Sequence, residues 1–378
     1  MNSLSENKIL KALISCIMLF TLFIFFYNFK LTLEFKLFSI SLFLVLFSTA
    51  IERKYFFYYC ILSFGFFYTT DYSVAMSPID SDKFYTEAFL YSYYGKEHVS
   101  TVVASGFTYK VLGFFINDQK PQLLVFINYL LHSISVVLLV KSGRLLYREA
   151  FNERLFAFFC FLSPLVFSQL SYFIKDYFSL FFAVLSFYLW VKVNEKFTFL
   201  KLVLLFLSIV LSMLFRVYAP VYILLLVIST GYLSRGYLYL TTFLSVGFIS
   251  FFGLKSILFI FYGVLVVYFV PNFLNLDNFI VSPFSTLEGV VIFLVHLIII
   301  FKITVTKDKE EAIKYFSMVM IIGLTLSLVS AFRVTYASGY DSIGNAYIAD
   351  NFFRKKIPVT YILLFYFFST KFFLRKFK

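Results

Sequence analysis

Charge is what this chain has least of. Only 14% of its 378 residues are Asp, Glu, Lys or Arg, against about 25% in soluble domains, so no water-soluble domain of useful size is expected. Cysteine is scarce too: Cys16, Cys60 and Cys160 all fall inside apolar runs, which excludes a disulfide framework and suits small core residues. The three histidines, His98, His132 and His296, stand far apart, and no metal-ligand spacing occurs. Walker-type and Rossmann glycine patterns are absent as well, so neither nucleotide nor any other cofactor is expected. The formal charge of +13 points to lipid headgroups and loop lysines rather than to nucleic acid.

What the chain does have is apolar length. Hydrophobic residues make up 61% of it, the mean hydropathy is +0.89, and runs of about 20 residues, each enough to cross a bilayer core of about 30 Å, recur from end to end. They lie at 9–29, 36–51, 55–70, 121–140, 155–173, 177–193, 199–215, 217–233, 237–254, 256–270, 288–304, 314–332 and 357–373. The first run is too long for a signal-peptide core and reads as an uncleaved span.

With both termini in the cytoplasm and 237–270 crossing once, most of the 33 lysines and arginines fall on the inner side, as the positive-inside rule requires. The expected fold is therefore an all-α polytopic membrane protein of about twelve transmembrane helices, one integral membrane domain over 1–378. Its outer face carries loops at 71–120, 271–287 and 333–356, with short amphipathic helices such as 106–116 (GFTYKVLGFFI) lying along the membrane.

Chemistry, on this layout, belongs outside. An ionised group near the hydrocarbon costs about 3 kcal/mol or more on insertion scales, so Arg216, Arg333 and Arg354, each at a break between apolar runs, stand out. A guanidinium takes a phosphate bidentately where an ammonium cannot; snorkelling to headgroups is the plainer alternative. Arg216 sits in a tight FRVYAP turn with Tyr218, and Asn345 lies in a Gly- and Asn-rich segment suited to turns and sugar contacts. Lys175 and Asp176 adjoin at the mouth of the next span, as a site element or as a structural pair. Asp80 and Asp82 in the first outer loop, like Asp176, are candidates to accept a proton from an attacking sugar hydroxyl; the alternative is that the loop carboxylates only solvate and cap. His132 and His296 fall inside spans, where hydrogen-bonded packing is the expected role.

Four segments carry a resemblance: SYFIKDYFSLFFAVLSFYLW at 171–190, LFRVYAPVYILLLVI at 214–228, SPF at 282–284 and GNAYIADNFFRKKIPVTYILLF at 344–365. Together they resemble the O-antigen polymerases (Wzy) and related repeat-unit polymerases, and the acidic first loop resembles that of GT-C glycosyltransferases. The resemblance implies a GT-C-like fold in the bacterial inner membrane. It also implies polymerisation of oligosaccharide units carried on undecaprenyl pyrophosphate at the periplasmic face, without nucleotide sugar, beside a copolymerase partner that sets chain length. Arg216 matches the family's arginine after the mid-chain span, Arg354 the one after the last glycine-asparagine segment, and Arg333 matches more loosely. Lys175 and Asp176 stand where some relatives place an arginine.

Two other classes fit parts of the pattern. A GT-C transferase using a polyprenyl-phosphate sugar would add one sugar rather than a ladder. A flippase should show internal repetition and compact loops on both faces, and neither is seen.

Overall fold

The computed structural model describes residues 79–94, 106–116, 121–148, 151–161, 163–170, 175–216, 218–230, 276–281, 283–307 and 352–369, with scattered positions within 239–257 and 312–322. The expected spans 9–29, 36–51 and 55–70, and the segment carrying Arg333 and Asn345, lie outside the described residues. Among the described residues the architecture is all helical. The main elements are α1 (Ile79–Tyr94), α2 (Gly106–Ile116), α3 (Pro121–Tyr147), α4 (Glu153–Phe161), α5 (Pro164–Leu170), α6 (Asp176–Glu195), α7 (Phe199–Phe215), α8 (Ala219–Ser229), α9 (Asp277–Val281), α10 (Pro283–Thr306) and α11 (Phe352–Ser369).

Among the described residues, three helices are long and apolar enough to cross a membrane: Ile127–Tyr147, Asp176–Glu195 and Thr286–Thr306. Their surroundings suit lipid. The outward face of α7 presents Phe199, Leu200, Phe206 and Leu207, and that of α10 presents Leu294, Leu297, Ile298 and Phe301, all exposed. Apolar patches of that extent mark a surface meant for something other than water.

Proline sets several boundaries. Pro121, Pro164 and Pro283 open α3, α5 and α10, and Pro220 lies in the first turn of α8, where the missing N–H costs nothing. Helix boundaries therefore differ in places from the apolar runs. The run 155–173 is not one span: it breaks at Ser163, because Pro164 cannot continue α4, and the Ser163 hydroxyl accepts the Val166 N–H to start α5. Of the run 217–233, the described residues form the short helix α8. Helix α11 begins at Phe352 and takes Arg354, Lys355 and Lys356, from the end of the 333–356 segment, into its first turns. Likewise α3 runs on to Tyr147 and carries Arg144 in its last turn, where the helix dipole favours a cation.

At the centre stands α11, buried at every position from Ile357 to Phe368 and packed against α3, α4, α5, α8 and α10. A helix apolar all round needs such an interior place. Phe365 is ringed by Phe151, Phe156, Phe187 and Tyr147 at centroid distances of 5.5–6.1 Å. Polar side chains join helices where lipid offers no hydrogen bonds. Ser186 and Ser208 link α6 to α7 at 2.8 Å, and the fully buried Glu288 of α10 accepts hydroxyls from Ser163 at 3.0 Å and Thr360 of α11 at 2.7 Å.

Candidate functional site

The antiparallel pair α6 and α7 returns the end of α7 to the start of α6. Arg216 caps α7, its N–H donating a hydrogen bond to the Ser212 carbonyl and its backbone turning extended (φ −148°, ψ 114°). Across from it, Asp176 occupies the first turn of α6, where the helix N-terminus favours a carboxylate. The two meet. Nε and Nη2 of Arg216 both donate to Oδ1 of Asp176, at 2.9 and 2.6 Å. The guanidinium is 8% exposed and the carboxylate 17%. Both hydrogen bonds use one edge of the fork, which leaves Nη1 for a further acceptor.

Aromatic rings close around the pair. Tyr218 lies with its centroid 5.6 Å from Arg216 Cζ, within cation–π range, and Tyr222 meets Tyr218 edge-on at 5.8 Å. A small cleft opens here, lined by Asp176, Tyr177, Ser179, Arg216, Tyr222 and Pro358, among others. Lys175, fully buried, precedes α6 and its carbonyl accepts the Phe178 and Ser179 amides.

The hairpin of α1 and α2 docks on the same end. Thr108 donates to the Leu214 carbonyl at 2.7 Å, and Phe107 meets Phe215 edge-on at 5.6 Å. Fully buried Tyr109 donates its hydroxyl to Glu87 of α1. Burial and the adjacent Glu87 carboxylate hold the Tyr109 phenol above its ordinary range, against an opposing pull from Arg216. Glu87 thus reaches the neighbourhood of Arg216 through one side chain.

Of the residues singled out in the sequence, Lys175, Asp176, Arg216 and Tyr218 come together. Arg354 lies in α11 one turn before Pro358, and its side chain lies outside what is described. Proline has no N–H to give the Arg354 carbonyl, so the helix is weakened at that turn. Asp80 and Asp82 stand in the first turn of α1; their side chains lie outside what is described, as do Arg333 and Asn345 entirely. His132 and His296 have packing partners: the tyrosine hydroxyls of Tyr361 and Tyr315 respectively. Among the described residues no group of three or more His, Cys, Asp or Glu could hold a metal ion.

Sequence reasoning passed over Tyr222 and Glu288, and named Glu87 and Tyr109 only as part of the first outer loop without singling them out as site residues. For Glu288 a signal existed: a lone carboxylate opening an apolar run, where charge is costly. Glu87 was one of several carboxylates in a polar loop, and only the docking of α2 distinguishes it. Comparison with known proteins finds no match to any protein-family model, curated protein or solved structure.

Proposed function

We propose that this chain is a membrane glycosyltransferase that polymerises lipid-linked oligosaccharide repeat units, as the resemblance to the repeat-unit polymerases implies. On this reading about twelve helices cross the bacterial inner membrane in a GT-C-like arrangement with both termini cytoplasmic, and the end bearing Arg216 faces the periplasm. The donor is a glycan on undecaprenyl pyrophosphate and the acceptor is the non-reducing end of the next lipid-linked unit. A chain-length-determining copolymerase is the expected partner.

One observation supports it most: a buried arginine lining a small cleft at the junction of α6, α7, α8 and α11. When the sugar–pyrophosphate bond breaks, charge develops on the leaving oxygen. A guanidinium already fixed in a partly dry site stabilises it without reorganising, and losing one such donor costs about 10²–10³ in rate. The acceptor hydroxyl gives up its proton as the new glycosidic bond forms. Asp80, Asp82 and Asp176 are the sequence candidates to receive it, and Glu87 joins them by position. Asp176 is the weakest of these, since its Oδ1 already accepts two N–H groups.

Genetic replacement of the chain by Arg216→Lys tests the reading. The point charge remains and the planar fork is lost. Long polysaccharide should disappear while the protein stays in the membrane; a normal length ladder would remove Arg216 from the site.

A further inference from the structure

Arg216 spends one edge of its guanidinium on a single carboxylate oxygen, at 2.9 and 2.6 Å. Those are the lengths of charge-assisted bonds, and phosphate oxygens use the same edge with the same geometry. Asp176 and Arg216 both line the cleft, together with Ser179 and Tyr222, and the carboxylate is the more exposed of the two, at 17% against 8%. A buried cation left without a counter-charge is strongly unfavourable, so the empty site needs a resident anion. A ligand bringing its own negative charge makes that resident redundant.

We propose that Asp176 is the resident counter-ion of an anion site, occupying the place of a ligand phosphate oxygen and released from Arg216 when a phosphate monoester or pyrophosphate enters. The inference rests on the reading of Arg216 as an anion binder. Asp176 thereby weakens anion affinity, and it restrains anions too weakly charged to replace it. The opposite role, a permanent brace that orients Arg216 toward the ligand, makes the opposite forecast.

Equilibrium dialysis of the full-length protein in detergent, with labelled inorganic pyrophosphate as the probe, separates them. Asp176→Asn keeps the volume and one acceptor oxygen while removing the charge; Asp176→Ser is the second neutral variant should the first not fold, as read by its melting curve. Displacement predicts pyrophosphate binding about tenfold tighter or more in the neutral variant, a tenfold change being about 1.4 kcal/mol. Asp176→Glu keeps the charge and should bind as the unaltered protein does. Equal or weaker binding in Asn and Ser variants overturns the counter-ion role; if Arg216→Gln still abolishes binding, the anion site itself stands. Should neither the unaltered protein nor the neutral variants retain pyrophosphate, the site and the proposed function fall together.

Discussion

Removing Arg216 while leaving Asp176 in place should expose how much of the fold hangs on their pair. The carboxylate would stay 17% exposed without the two hydrogen bonds it now accepts. Breaking a buried pair from one side costs about 3–5 kcal/mol, and the residual solvent contact of Asp176 places Arg216→Leu near the lower end. Replacing both members, as Arg216→Leu with Asp176→Leu, removes the carboxylate as well and should recover most of the loss, because a well-packed apolar pair is about as stable as the ion pair it replaces. Activity should not recover, since the leaving group still lacks its guanidinium. Denaturant titration of the purified variants in mixed micelles gives the coupling energy from the double-mutant cycle, and polysaccharide gels give the activity. A single variant costing under about 1 kcal/mol would match an exposed pair and refute the burial argument. A double variant that makes polymer would refute the chemistry.

Other consequences follow from packing. A Cβ on Gly143 would lie 2.6–2.7 Å from the buried ring of Phe151, so Gly143→Ala should cost about 1–3 kcal/mol by overpacking, and adding Phe151→Leu should relieve it in the same micelle titration. Ser208→Ala removes the α6–α7 hydroxyl contact and should cost about 0.6 kcal/mol, the average found for such bonds between membrane helices. Glu288→Ala strips Ser163 and Thr360 of their acceptor and should lower stability by about 1–3 kcal/mol, with Glu288→Gln milder because the amide oxygen still accepts one hydroxyl. Arg148, which follows α3 with φ 52°, should gain about 1 kcal/mol on change to Gly, the residue that adopts this backbone without strain.

Much of the helical layout was legible, because apolar periodicity and proline are local. Thr108, Tyr109 and Leu112 are buried while Phe107 and Lys110 are exposed, and that is the amphipathic pattern read in 106–116. Levels were legible too: Lys175 and Asp176 at the start of α6 lie at the same end as Arg216 and Tyr218 after α7. What sequence could not supply was who touches whom. Arg216 and Asp176 are 40 residues apart, and their pairing depends on the rotation of α6 against α7, which two helices apolar nearly all round do not specify. Glu288 finds Ser163 and Thr360 at separations of 125 and 72 residues, through the break at Pro164 and the central placing of α11. The apolar run 155–173 concealed that break, because hydropathy averages over a single proline.

The most direct measurement of the central claim uses the purified protein in vesicles supplied with one undecaprenyl-pyrophosphate-linked oligosaccharide, following product length and the undecaprenyl pyrophosphate set free. The account predicts a ladder of products, one lipid carrier released for each bond formed, and neither from Arg216→Lys. A single sugar added, a ladder made equally well by Arg216→Lys, or lipid-linked glycan moved across the bilayer without any new bond would contradict it.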